Sequence, residues 1–222
     1  MISNLIYTGG EQTGVTVETN DAYTLTGNTG TNADSYTATF ALTDPTNTCW
    51  NDEGKTTDAK TIEWSIARKT VEVPTAVTGL VYNGTEQTGV NGGEGYTLSG
   101  TTKATDAGSY TATATLKDTK NTCWSDGTTD AKTIEWSIAK ATPTVTETVI
   151  VTYYPNGGSA TFSGSMNVNG TFSYDPASKK TTFTPEDTTN YNTVTVEAEV
   201  NDDNTVSTVN VSLSGKTKEE TK

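Results

Sequence analysis

The sequence predicts an all-β chain, and three observations carry that expectation. Apolar and polar residues alternate with a period of two in the clearest stretches. Threonine, whose branched Cβ favours extended backbone, is abundant, and no window carries an apolar stripe at helical spacing. The alternation is plainest in residues 106–139. There Tyr110, Ala112, Ala114 and Leu116 point one way and Thr111, Thr113 and Thr115 the other, while Ile134, Trp136 and Ile138 alternate with Glu135 and Ser137. Strands of that kind keep one face in a core and one in water. Residues 32–67 are a near copy, so internal repetition takes precedence over a domain count drawn from the 222-residue length.

In chain order, repeat one opens with Leu5-Ile6-Tyr7 and continues through Gly9-Gly10 to Gln12-Thr13-Gly14-Val15; its twin is Leu80-Val81-Tyr82, Asn83-Gly84 and Gln87-Thr88-Gly89-Val90. The Gly-Gly and Asn-Gly pairs supply the positive φ of tight hairpin turns. Tyr23 to Gly27 and Tyr96 to Gly100 are short strands, followed by the tyrosine-led and tryptophan-led strands. Equivalent positions lie between 72 (Trp64 to Trp136) and 75 (Leu5 to Leu80) residues apart, a period that suits a small sandwich domain rather than a solenoid. Repeat two starts with a strand from Lys69 to Pro74. Repeat one has room only for residues 1–4 there, so either its first strand is cut away or the module is naturally short, and a missing strand leaves an open edge that invites pairing with a neighbouring molecule.

The third unit echoes that opening at Lys140 to Val145 and then diverges. The stretches 159–164, 170–176 and 181–191 follow as strand candidates, the last running into alternating Val194, Val196, Ala198 and Val200. A turn at 201–204 leads to a last strand containing Val209, Val211 and Leu213. The modules are therefore 1–68, 69–140 and 141–215, with a charged tail at 216–222. Short junctions at Arg68-Lys69 and Lys140 imply a semi-rigid rod.

Charge narrows the functions. With 14 basic and 27 acidic residues and no histidine, the net charge is −13. Nucleic acid and anionic membrane surfaces, which demand clustered Lys and Arg, are poor partners. No apolar run reaches the length of a membrane span. The N-terminus lacks the order of a signal peptide, so Met1 reads as a start placed on a piece of a longer protein, although a cytoplasmic protein would look the same. Cys49 and Cys123 occupy equivalent positions in tandem modules, too far apart for a disulfide. Each is expected to be a small buried hydrophobe beside a tryptophan.

Without histidine, Ser-His-Asp and Cys-His sites are excluded within the chain. Two separated cysteines do not make a zinc site. The carboxylate pairs Asp52/Glu53 and Glu186/Asp187 sit in polar turns and read as solvated loops rather than acid–base dyads. Residues 51–54 and Asp202-Asp203 offer oxygen ligands for calcium but match no calcium-loop spacing, so no cofactor is assigned. Trp64 and Trp136 lie on the apolar faces of their strands and read as core; Trp50 and Trp124 begin loops and are the candidate ligand contacts.

Asp106-Ala107-Gly108-Ser109-Tyr110 resembles the tyrosine corner of immunoglobulin-type sandwiches, with Asn32-Ala33-Asp34-Ser35-Tyr36 as its counterpart. The whole unit of residues 82–141 is similar to bacterial immunoglobulin-like surface repeats, which stack in extracellular stalks. Residues 162–194 of the third unit resemble MBG-type repeats of bacterial surface and secreted proteins, with a shorter stretch at 177–180. The resemblance implies tandem sandwiches in a rod, with Tyr36, Tyr110, Asp106, Trp64 and Trp136 as structural residues, a bacterial surface or secreted location, monomers within a longer chain, and no enzymatic activity. The expected role is a spacer or part of an adhesin. Alternatives are direct binding of a glycan or host protein through loops such as 121–129, and an accessory module of a secreted hydrolase. Internal Lys–Asn crosslinks, using Lys60, Lys132, Lys69 or Lys140, are a further possibility that such folds raise.

Overall fold

The computed structural model describes residues 4–18 and 20–202. The chain is all-β, with no helix among those residues. The question of a first strand in repeat one falls on residues 1–3 and lies outside the described residues. So do the strand expected around 209–213 and the charged tail.

The chain forms two compact units. The first takes the described residues up to Thr75 with Gly92–Ser99 and Thr113–Ile134; the second takes Ala76–Asn91, Gly100–Ala112 and the described residues from Glu135 onward. The units therefore do not coincide with the sequence repeats, because repeat two contributes to both.

In the first unit, Leu5–Ile6 lies parallel to Lys60–Ala67, which is antiparallel to Asp34–Leu42, which in turn pairs with Tyr23–Thr26. The register sets Tyr36 opposite Trp64 and Ala38 opposite Ile62, so the inward sides of neighbouring strands meet on one face. Val15, Ala38, Phe40, Trp64 and Ile66 form the core beneath, with Tyr23, Leu25, Tyr36 and Trp50 packed against it. Lys69–Val71 crosses to lie parallel to Thr122–Trp124, with Thr70 opposite Cys123. A single residue, Arg68, separates it from the preceding strand.

The strands Tyr96–Gly100, Gly108–Leu116 and Lys132–Ile138 each give residues to both units, in the sheet order 132–138, 108–116, 96–100. Their alternation follows the sequence: Ala112, Ala114, Leu116, Ile134, Trp136 and Ile138 are buried, while Thr111, Thr115, Glu135 and Ser137 are exposed.

In the second unit Val145–Tyr154 is antiparallel to Ser159–Met166 and parallel to Ala198–Asp202, while Gly170–Asp175, Lys180–Pro185 and Val194–Val196 form an antiparallel sheet. Val149 and Met166 from the first sheet share a cluster with Phe172, Phe183 and Val196 from the second.

Three expectations need correction. The alternating run at 194–200 is not one strand. It breaks at Glu197, and its halves enter different sheets. Asn201 and Asp202 are not a turn, because the parallel pairing with Thr152 and Tyr153 carries the strand through them. The glycine turns after Tyr7 and Tyr82 do have positive φ at Gly9 and Gly84, yet they close no hairpin. Each hands the chain from a parallel pairing with its tryptophan strand (Leu5–Ile6, or the Val81–Ala139 bridge) to a separate two-stranded ladder formed by Gln12–Thr13 or Gln87–Thr88.

Candidate functional site

The tyrosines and tryptophans of the two repeats form matching structural nests. The Tyr36 hydroxyl donates to the carbonyl oxygen of Asn32 at 2.8 Å, and Tyr110 donates to that of Asp106 at 2.7 Å. Tyr36 stacks on Trp64 with centroids 4.4 Å apart; Tyr110 tilts over Trp136 at 4.7 Å. The indole nitrogens donate inward, Trp64 to the Gly27 carbonyl at 2.9 Å and Trp136 to that of Thr101 at 2.7 Å. Both indoles are thus fixed on one face by a ring and at one edge by a hydrogen bond, which suits packing rather than ligand contact.

Trp50 and Trp124, the candidate ligand contacts, part company. Trp124 is 0% exposed, donates to the Asp130 carbonyl at 2.7 Å and packs on Tyr96. It cannot touch a ligand, because the Lys69–Val71 strand pairs alongside it and covers it. Trp50 makes the equivalent bond to Asp58, also 2.7 Å, and approaches Tyr23, yet it stays half-buried. The cysteines split the same way: Cys123 is buried as expected, but Cys49 is exposed. Among the described residues no strand lies beside residues 48–50. Identical Thr-Cys-Trp sequences differ because only one has a covering strand.

The polar chemistry concentrates in a motif that the sequence reading passed over as a turn: an aspartate three residues before an asparagine, at Asp118/Asn121 and Asp187/Asn190. In each, one carboxylate oxygen accepts two backbone N–H groups, and the other accepts the asparagine amide, at 2.8 Å for Asn121 and 2.9 Å for Asn190. That leaves the asparagine side chain aimed outward and rigid. In the first compact unit the Asn121 Oδ1 accepts the Ala33 N–H at 2.8 Å, while its Nδ2 reaches Asn32 Oδ1 at 3.2 Å. In the second, Asn190 Oδ1 accepts the Ala107 N–H at 2.7 Å, and its Nδ2 reaches Asp106 Oδ1 at 3.2 Å. Each asparagine is 6% exposed.

The two joints therefore use the same bonds. In each case the turn from the later stretch of sequence holds the loop that also anchors the tyrosine hydroxyl of the earlier one. The backbone repeats the match: Lys69 N–H donates to the Asn121 carbonyl at 2.9 Å, and Ala141 N–H to the Asn190 carbonyl at 2.8 Å. Arg68 Nε donates to the Lys120 carbonyl, Lys140 Nζ to that of Thr188, and Tyr82 meets Tyr191 edge-on at 5.3 Å. The signal that reveals the joint in sequence is the threefold recurrence of Asp-Pro-Thr-Asn, Asp-Thr-Lys-Asn and Asp-Thr-Thr-Asn, ending at Asn47, Asn121 and Asn190.

Hydrogen bonds from Asn121 hold the Asp118 carboxyl below its ordinary value of 3.8, and Asn190 does the same for Asp187. A carboxyl depressed on folding adds stability above the unfolded value, and that stability is lost as pH falls through the folded one. The expected result is a melting temperature unaffected by these turns above about pH 5 and falling below pH 3.8. In calorimetry, a chain with Asp118→Asn and Asp187→Asn should show a shallower acid decline than the parent.

Asp52 and Asp126 are engaged within their own loops. Lys60 at 2.8 Å is the main cause holding Asp52 well below the usual carboxylate range, with Thr56 next; Lys132 at 2.5 Å and then Thr128 do this for Asp126. Lys60 and Lys132 thus meet carboxylates, and Lys140 a backbone carbonyl, rather than the asparagine an internal crosslink needs. Asp52, the central residue of the candidate calcium loop, has both oxygens committed, to Thr56 N–H and to Thr56 Oγ1 and Lys60. Among the described residues no group of three or more acidic or cysteine side chains is arranged to hold a metal ion, and no helix is long and apolar enough to cross a membrane. In comparison with known proteins, no family model, no curated protein and no solved structure matches the chain.

Proposed function

We propose that the chain is a structural spacer of a bacterial cell-surface or secreted, adhesin-like protein. Its tandem modules are β-sandwiches of immunoglobulin-like and MBG-like type, set end to end as a rod that holds a functional domain away from the cell. The observation that carries this reading is the joint built twice from the same bonds, Asn121 on Asn32-Ala33 and Asn190 on Asp106-Ala107. A spacer needs fixed angles between successive modules. Buried side-chain bonds beside short junctions, a single residue at Arg68 and six at 139–144, restrict them far more than a flexible linker does. The location rests on the resemblance to surface repeats, and the acidic, threonine-rich surface suits a wet, non-adhesive shaft.

Direct binding through the 121–129 loop is less well supported, since Asn121, Thr122, Cys123 and Trp124 are all buried. Binding of the whole chain to a glycan array and to host extracellular proteins separates the two readings. A spacer gives no signal above a scrambled-surface control, whereas saturable binding lost on substitution of exposed 125–129 residues would overturn the proposal.

A further inference from the structure

The Asp-x-x-Asn turn occurs three times, and among the described residues only the copies at 118–121 and 187–190 bond a distant loop. In Asp44-Pro45-Thr46-Asn47 the internal bonds match the other two: Asp44 Oδ1 accepts the N–H groups of Thr46 and Asn47, and Oδ2 accepts the Asn47 amide at 2.8 Å. The turn is therefore preformed, yet Asn47 is exposed where Asn121 and Asn190 are buried. The residues that follow it agree. The backbone turns in register with the second repeat, Thr48 N–H donating to the Asp44 carbonyl and Trp50 N–H to Thr56, as Thr122 does to Asp118 and Trp124 to Thr128. Cys49 is exposed and Trp50 half-exposed, whereas their covered counterparts Cys123 and Trp124 are buried.

A third observation lies beside them. Tyr23, whose ring approaches Trp50 at 6.1 Å, lines an open cavity of about 490 Å³ together with Val15, Val17 and Leu25. In repeat two Val71 of the pairing strand lies against Gly95, the residue before the corresponding Tyr96, close enough to contact a Cβ placed there. The hollow in repeat one borders Asp21 and Tyr23, on either side of Ala22, the position equivalent to Gly95.

We infer that the 44–50 face of repeat one is an unfilled copy of the joint, accepting in parallel an extended segment with the chemistry of residues 69–73 from a different polypeptide of the same repeat type, not from a second copy of this chain, whose residues 69–71 are already paired with 122–124. Register follows from the filled copy. A lysine-like residue donates its N–H to the Asn47 carbonyl, threonine lies opposite Cys49, and valine lies opposite Trp50, on the side of Ala22. Asn47 is then free to hold an Asn-Ala or Asp-Ala loop, as its counterparts do. Like-charge repulsion does not oppose the segment, since Lys-Thr-Val-Glu-Val is neutral overall. The inference is independent of the spacer reading, because a strand edge can be filled whatever the modules carry.

The test uses the full 222-residue chain and a synthetic peptide copying residues 65–75, with Cys49 as reporter. Alkylation by iodoacetamide is followed by peptide mapping, which separates Cys49 from Cys123. At a peptide concentration that fills two-thirds of the sites, on the order of 1 mM for so short a strand, Cys49 should react about threefold more slowly, with Cys123 unchanged. A peptide N-methylated at the Lys69 position cannot donate to Asn47 and should give no protection. Absence of slowing at several millimolar, or equal slowing by the N-methylated or a scrambled peptide, would overturn the inference. Protection that rises with protein concentration without peptide would also overturn it, by making a second copy the occupant.

Discussion

Replacing Gly89 with alanine is expected to destabilise the fold around repeat two by about 3 kcal/mol, the upper end of overpacking costs. Gly89 lies flat beneath the Trp136 indole, and a Cβ built on it falls among the ring atoms. The ring has nowhere to go. Tyr110 covers it at 4.7 Å, and its nitrogen is tied to the Thr101 carbonyl. Gly14 stands in the same relation to Trp64, with Tyr36 stacked on the ring and the Gly27 carbonyl at its edge, so Gly14→Ala should behave alike. Calorimetry reads the effect, since each kcal/mol moves the melting temperature of a domain this small by about 4–8 °C. If Trp136→Leu added to Gly89→Ala recovers part of the loss, the clash is the cause; equal loss in the double variant would point elsewhere.

Truncating Trp124 to alanine should cost about 3–5 kcal/mol, because a wholly buried indole leaves a cavity and strands the Asp130 carbonyl. The same change at Trp50 should cost only about half as much, since part of that ring is already in water. Urea unfolding of the two single variants measures the contrast. Equal costs would mean that the strand edge of repeat one is closed after all.

Much of this architecture is legible in the sequence. Period-two alternation places Ala112, Ala114, Ile134 and Trp136 inside, and the duplicated motif identifies Tyr36 and Tyr110 as partners of nearby backbone. Local pattern suffices there, because a strand's two faces are set by neighbours in sequence. The joints are harder to see. Asp118 and Asn121 look like any solvated turn, and their meaning comes from Asn32 and Ala33, almost ninety positions away. Trp50 and Trp124 both follow Asn-Thr-Cys, so the preceding residues do not separate a half-buried ring from a buried one; the difference is a strand contributed from elsewhere. Gly14 and Gly89 were equally opaque, because they serve a tryptophan face rather than a turn. In the third unit Val145–Tyr154 carries both a parallel and an antiparallel neighbour, and no period tells which strands will flank it.

Under the proposed spacer reading, the buried Asn121 and Asn190 hold successive repeats at fixed angles. Small-angle X-ray scattering of the full chain beside the Asn121→Ala/Asn190→Ala variant tests it directly. The account predicts an extended particle of narrow size distribution for the parent, with each module still folded but the distribution broadened and the average length shortened in the variant. A parent that already scatters as freely bending beads, indistinguishable from the variant, would contradict it.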